Sequence, residues 1–245
     1  MNTVDVTFPD GRTVKVRTGS RVADLIEEYE PWHEEYPVVA VSVNNEITSL
    51  FYRVDVNTAL GPVTLDSGEG QRVYRRSLCF LLYMAALEVT PQRHLVIGHS
   101  LGDGYYYHFD DGEPVSAQEL EALSKKMHEI VAEDRAIIRR IYAYGDARRY
   151  FEEHDMSDTA LLLKHRNDSK IPVYTCGRTV DISHGPLVPS TGYLKYFELT
   201  SYEPGFLLRY PNERTPYEIQ AFSPSPLLFS VYQEYKEWGR ILNVS

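Results

Sequence analysis

The chain has 245 residues, 43% of them hydrophobic, and a formal net charge of −10. That composition excludes a disordered chain and suits one large domain or two smaller ones. The acidic balance repels phosphate backbones and so argues against generic nucleic-acid binding. No stretch of eighteen apolar residues occurs, and the start Met-Asn-Thr-Val-Asp-Val-Thr-Phe has neither the basic segment nor the apolar core of a signal peptide. The expectation is a cytoplasmic protein with no membrane partner. Cys79 and Cys176 lie far apart without a CxxC pattern, which predicts free thiols.

In chain order, residues Thr3 to Phe8 and Thr13 to Arg17 alternate as strands around the turn Pro9-Asp10-Gly11-Arg12, which predicts a β-hairpin. Ser20 stands where an N-cap belongs, ahead of Val22, Leu25 and Ile26 at helical spacing. Val38 to Val43 reads as a central strand, Asn44-Asn45-Glu46 as its turn, and Ile47 to Val54 with Asn57 to Leu65 as further short strands. The order ββαββ is that of a small ubiquitin-like β-grasp module. Asp66-Ser67-Gly68-Glu69-Gly70 reads as a linker, which sets a domain boundary there.

Arg72 to Glu88 carries Leu78, Leu81, Leu82, Ala85 and Ala86 at helical spacing before Pro91, and its inner face bears Arg76 and Phe80 one turn apart. His94 to Ile97 and Tyr105 to Phe109 read as strands joined through residues 98 to 104, with Tyr106 facing the side opposite its neighbours. Ser116 with Glu119 makes a capping box before a long amphipathic helix. Ile137 to Tyr144 is strand-like, and Asp146 to His154 and Ser157 to Arg166 read as short helices. A final helix is expected over Leu227 to Leu242, after Ser223-Pro224-Ser225-Pro226. The basic doublets at 75–76, 139–140 and 148–149 read as solvated faces.

The chemistry-bearing stretch is Pro172 to Leu199, with Cys176, Asp181, Ser183 and His184 within nine positions, followed by Gly and Pro turns. A Cys–His pair eight residues apart has no diagnostic spacing; it leaves open a relocated metal or nucleophile site or a structural histidine at a turn. The other histidines, including His94, His99, His108, His128, His154 and His165, are scattered without ligand spacing.

Three segments carry a resemblance: Arg-Ser-Leu-Cys-Phe-Leu-Leu from Arg76, Asp-Gly-Tyr-Tyr-Tyr from Asp103, and Asp-Ile-Ser-His-Gly-Pro-Leu-Val-Pro from Asp181. They resemble the editing domain of threonyl-tRNA synthetases, also found in alanyl-tRNA synthetases and free-standing aminoacyl-tRNA deacylases. The hairpin Val4-Asp5-Val6-Thr7-Phe8-Pro9-Asp10-Gly11 with its helix looks like the TGS domain that precedes it. The resemblance implies an α+β chain with a TGS-like module over 1–66, an editing-like domain over 67–222 and a C-terminal helix over 223–245. It also implies HxxxH and CxxxH motifs that hold zinc or orient substrate and water. Here those positions are Arg76, Phe80, Ser183 and Leu187. Arg, Phe and Leu offer no ligating lone pair, and Ser is a poor zinc ligand.

The whole is similar to the N-terminal half of bacterial uridine kinase-like proteins, whose P-loop nucleoside kinase domain follows. No G-x-x-x-x-G-K-[ST] occurs here, so ATP and Mg are expected only for that further domain, and no metal or cofactor for this portion. The expected function is a non-catalytic ligand-sensing or regulatory module whose partners are its own kinase domain and a small anion or nucleoside. The expected cleft is formed by Arg76, Phe80, Tyr106, Cys176, Asp181, Ser183, His184 and Leu187. Alternatives from other classes are a metal-independent aminoacyl-ester hydrolase and a pure interaction module.

Overall fold

Residues 2–29, 36–101, 104–154, 156–164 and 168–222 are described in a computed structural model of the chain, which divides into two compact units. The expected C-terminal helix, Asp103 and His165 lie outside the described residues. The first unit takes in Met1–Leu81 and Glu129–Lys195, the second Leu82–His128 and Tyr196–Ser245.

The first unit opens with the hairpin β1 (Thr3–Thr7) and β2 (Thr13–Arg17), paired antiparallel from Thr3↔Arg17 to Thr7↔Thr13. Its turn is fixed by Gly11 at φ +83° and by Asp10, whose carboxylate accepts the Arg12 N–H at 2.8 Å. A two-residue strand β3 (Ser20–Arg21) and helix α1 (Val22–Tyr29) follow. Ser20 is not the N-cap the sequence suggests. Its hydroxyl donates to Arg17 O at 2.8 Å, and the first N–H groups of α1, from Val22 and Ala23, donate instead to Tyr52 O (2.9 Å) and Leu50 O (3.1 Å). Tertiary carbonyls do the work of a capping side chain.

Strands β4 (Val38–Val43), β5 (Glu46–Thr48), β6 (Arg53–Val54) and β7 (Thr58–Thr64) complete the module. Asn44 and Asn45 take φ of +50° and +69°, the left-handed pair that suits the β4–β5 turn to the sheet's twist. The sheet order is β2-β1-β7-β4-β5, with β1 and β7 parallel and the remaining neighbours antiparallel. Val6, Phe8 and Val16 on the hairpin meet Val22, Leu25 and Ile26 of α1 in one apolar core with Val41, Val54 and Leu60. This is a β-grasp arrangement, so the chain is α+β as the sequence implies.

Helix α2 (Gly68–Val89) begins earlier than the sequence indicates. The glycine-rich stretch that reads as a linker is its capped first turn: Ser67 Oγ accepts the Gly70 N–H at 3.0 Å and donates to Thr64 O at 2.7 Å. A Cβ on Gly70 would stand 1.9 Å from Thr64 O, so the backbone approach itself requires glycine.

Strand β8 (Leu95–Leu101) and β9 (Gly104–Phe109) belong to the second unit. β8 runs past Ile97 into the expected connection because a register shift between Ile97 and Ser100 lets pairing resume. Helix α3 (Ala117–Ala132) opens on the capping box: Ser116 N–H donates to Glu119 Oε2 at 2.9 Å, and Glu119 N–H to Ser116 Oγ at 3.2 Å.

Back in the first unit, β10 (Ile138–Ala143), α4 (Tyr144–Glu153), α5 (Ser157–Lys164), β11 (Lys170–Cys176) and β12 (Thr179–Ile182) form a layered unit in which the antiparallel sheet β10-β11-β12 is covered on one face by the two helices. Ala147, Phe151, Ala160 and Leu163 pack on Ile171 and Val173 there. Alternation sends Tyr174 and Cys176 to the other face.

The chain closes with β13 (Glu198–Tyr202) and β14 (Gly205–Arg209), which extend the second sheet to β13-β14-β9-β8. Tyr106 and Tyr107, successive residues of β9, are both buried in that unit, at 2% and 4% exposure. Among the described residues no helix is long and apolar enough to cross a membrane.

Candidate functional site

The candidate site lies within the first unit, where α2 meets the turn over residues 183 to 188. Ser77, fully buried, ties them: its hydroxyl donates to Val73 O at 2.7 Å and accepts the Val188 N–H at 2.9 Å. A helix that bonded only to itself would leave that N–H buried without a partner. The far side of the turn is fixed by Asp134 at φ +47°, whose carboxylate accepts the Gly192 N–H at 3.0 Å and the Ser190 hydroxyl. Thr191 continues the clasp, with its N–H on Arg135 O at 2.9 Å and its hydroxyl on Ile130 O at 2.7 Å.

Arg76 lies against this turn. A Cβ built on Gly185 would fall 2.7 Å from Arg76 Cζ, 2.8 Å from Nη1 and 2.9 Å from Nη2. Three near-equal distances place the guanidinium flat over the Gly185 backbone, a position only glycine leaves open. Tyr174, 2% exposed, stands beside it. Burial raises the Tyr174 pKa, and the Arg139 guanidinium, the nearby Arg76 charge and the Leu187 backbone N–H pull it partly back. Arg139 is the direct cross-strand neighbour of Tyr174 on β10.

The sequence-derived residues divide as follows. Phe80 and Leu187 are buried apolar groups at 7% and 2% exposure. Ser183 accepts the Gly185 N–H at 3.5 Å, the outer limit of a hydrogen bond, and His184 is exposed. Tyr106 belongs to the second unit, where its ring stacks on His108 at 5.8 Å. Cys176 is buried, and burial pushes its thiol above the ordinary range, with Arg135 opposing. A thiol so raised is a poor nucleophile at neutral pH.

Asp181, expected in the cleft, is engaged away from Arg76. Its carboxylate accepts the Ile182 N–H at 2.7 Å and the Thr159 hydroxyl at 3.2 Å, and burial raises its pKa, whereas pairing with arginine would lower it. A raised folded-state pKa means the native chain holds its proton longer than the unfolded one, so stability falls as pH rises from the usual aspartate range toward the raised value. Asp181→Asn is therefore expected to remove that slope and to gain stability at neutral pH, as read by urea melts across pH 4 to 8; an unchanged slope contradicts the assignment.

Among the described residues no group of three or more His, Cys, Asp or Glu is placed to hold a metal ion, so Cys176, Asp181 and His184 do not assemble one. The inherited metal positions do not fit zinc, since Phe80 and Leu187 fill them with hydrocarbon. Ser77, Arg139, Tyr174 and Gly185 do not stand out in the sequence; Arg139, one of a basic doublet that reads as a solvated face, is half-buried on the strand beside Tyr174.

No family model matches the chain. Threonine–tRNA ligases are similar to it over most of its length. That of Orientia tsutsugamushi (strain Boryong) is 30% identical over 200 residues, covering 80% of this chain and 31% of the ligase. That of Rubrobacter xylanophilus is 33% identical over 196 residues, covering 80% and 30%. That of Carboxydothermus hydrogenoformans is 34% identical over 162 residues, covering 66% and 26%. The chain spans about a third of the length of the first of these relatives, and it carries a threonyl-tRNA-synthetase-like region of α+β fold.

Proposed function

We propose that this chain is a non-catalytic ligand-binding module: a TGS-type β-grasp domain followed by an editing-like domain, acting as the regulatory portion of a nucleoside kinase-like protein. The observation that carries the reading is the state of the metal positions. Phe80 and Leu187 are buried hydrocarbon, Arg76 cannot give up its proton to bind a cation, and helix and turn are joined instead by the Ser77–Val188 hydrogen bond and the Arg76–Gly185 contact. Loss of every inherited ligand at once, with the architecture kept, fits a fold retained for binding after its chemistry was given up. The raised Cys176 thiol and the engaged Asp181 weigh against the hydrolase alternative.

Two outcomes follow. Protein purified without chelators is expected to contain substoichiometric zinc by elemental analysis; one zinc per chain that disappears in Cys176→Ser or His184→Ala overturns the reading. The 245 residues alone are expected neither to phosphorylate uridine nor to hydrolyse ATP, since their sequence has no Walker A loop. Uridine-dependent ATP turnover by this chain would refute the assignment of kinase chemistry to a separate domain.

A further inference from the structure

We propose that the open edge of β10 is the surface through which two copies of this chain associate, their β10 strands pairing antiparallel about Ile141. The inference goes beyond the ligand-binding reading and does not rest on it. β10 lies at the edge of its three-stranded sheet, where only β11 is its neighbour. The Tyr144 N–H donates to Ser169 O at 3.1 Å, one step past the Ala143↔Lys170 pair, so the even-numbered residues of the strand turn their backbone groups to β11. The N–H and C=O groups of Arg139, Ile141 and Ala143 therefore point outward. Among the described residues no backbone group pairs with them there.

The same outer side already takes an antiparallel partner just before β10 begins. The Ile137 N–H donates to Pro189 O at 2.9 Å and the Thr191 N–H to Arg135 O at 2.9 Å, around the Ala136↔Ser190 bridge. That pairing stops at Ile137 and α4 starts at Tyr144, which leaves a window over residues 138 to 143. Ile138 and Ile141 are 39% and 49% exposed in it. A strand edge with exposed isoleucines and neither proline nor bulge is a template for a further strand. Its two arginines restrict which strand can add.

In a pair related by a two-fold axis, the residue on the axis faces itself. Axes at Arg139 or Arg140 set arginine directly against arginine, and like charges in that position repel. Axes beyond Ile141 shorten the pairing, because they bring the arginines opposite residues of α4. The axis at Ile141 sets Ile141 against Ile141, Arg139 against Ala143 and Arg140 against Tyr142. Each copy then covers its more exposed isoleucine with the other's, and each Arg140 charge meets a tyrosine ring instead of a second charge. The outward groups of Arg139, Ile141 and Ala143 all find partners in that register. An acidic strand from another protein would also suit the arginines, but the axis at Ile141 needs no residue beyond those of β10 itself.

The paired window is short, so the dimer is expected to be weak and to form with rising concentration. The test is sedimentation velocity of the full 245-residue chain over about a hundredfold range of concentration, where a reversible monomer–dimer equilibrium is expected. Ile141→Lys, which sets two ammonium groups face to face, is expected to weaken the dimer by at least about tenfold. The register is read by cysteine cross-linking in a Cys79→Ser background, which leaves the buried Cys176 as the other thiol. Directly paired Cα atoms lie about 5.5 Å apart, within the span of a disulfide, so Ile141→Cys is expected to cross-link two copies under mild oxidation. Ile138→Cys, also exposed but far from its counterpart in this register, is expected to cross-link at least about tenfold more slowly. A monomer at every concentration, which would leave the edge to solvent or to a strand of another protein, overturns the proposal. So does a dimer indifferent to Ile141→Lys, or equal cross-linking through the two cysteine positions.

Discussion

Arg93→Met is expected to destabilise the chain by about 2 kcal/mol in urea unfolding, less than the ~3–5 kcal/mol for breaking a fully buried pair because the Asp111 and Glu119 side chains keep 37% and 30% of their surface exposed. The Arg93 side chain is only 11% exposed and satisfies its donors on Asp111 (2.6 and 2.9 Å), Glu119 (2.7 Å) and Glu113 O (2.9 Å), while its charge sits 4.0 Å from the Phe109 ring centroid. Methionine keeps the hydrocarbon stem and removes every one of these contacts. Hydrogen bonding to Arg93 pulls the Asp111 carboxylate down, and the Ser116 backbone N–H, with its hydroxyl and Arg93 adding, does the same for Glu119. Depressed carboxylate pKa values contribute stability above the ordinary carboxylate range and lose it as pH falls through the depressed values. The gap between wild type and Arg93→Met is therefore expected to narrow on acidification below about pH 4. A gap that widens there, or a loss under 0.5 kcal/mol at pH 7, contradicts the network's role.

Ser77→Ala is expected to cost about 2 kcal/mol, because it leaves the buried Val188 N–H without its acceptor. The missing oxygen is small, so little of the loss comes from a cavity; the unmet N–H dominates. The turn should loosen first. Amide exchange at Val188 and its neighbours is expected to accelerate more than exchange at the β-grasp amides, where the wild-type pattern should persist. Uniform acceleration across the chain would mean that the Ser77 bridge is not a local anchor.

Much of the fold is legible in the sequence because periodicity and turn chemistry act locally. The Asn44-Asn45 turn, the Ser116–Glu119 box and the alternation of Val4, Val6, Val14 and Val16 each state their geometry within a few residues. Errors arise where a distant partner overrides a local signal. Ser20 looks like a cap, but carbonyls some thirty positions away, Leu50 and Tyr52, serve the helix. Asp66 to Gly70 looks like a linker because glycine usually loosens a chain, yet Gly70 is needed where the helix presses on Thr64.

The site follows the same rule. Arg76 and the turn around Gly185 were legible from their motif positions, which are separated in sequence but fixed in order. Arg139 and Tyr174 were not: a doublet of arginines on a strand carries no local sign that one of them crosses to a buried phenol. Ser77 is also silent in sequence, since a serine within a helix usually bonds to its own preceding turn, as Ser77 does with Val73, and nothing local reports its second bond to Val188.

The central claim is that the editing-like cleft binds without catalysing. Its most direct test is to incubate the 245-residue chain with aminoacyl-tRNAs carrying labelled amino acids and to follow ester hydrolysis, with and without added zinc. The account predicts a rate equal to spontaneous deacylation in both conditions. Enzyme-proportional turnover that disappears in His184→Ala or Cys176→Ser would contradict it.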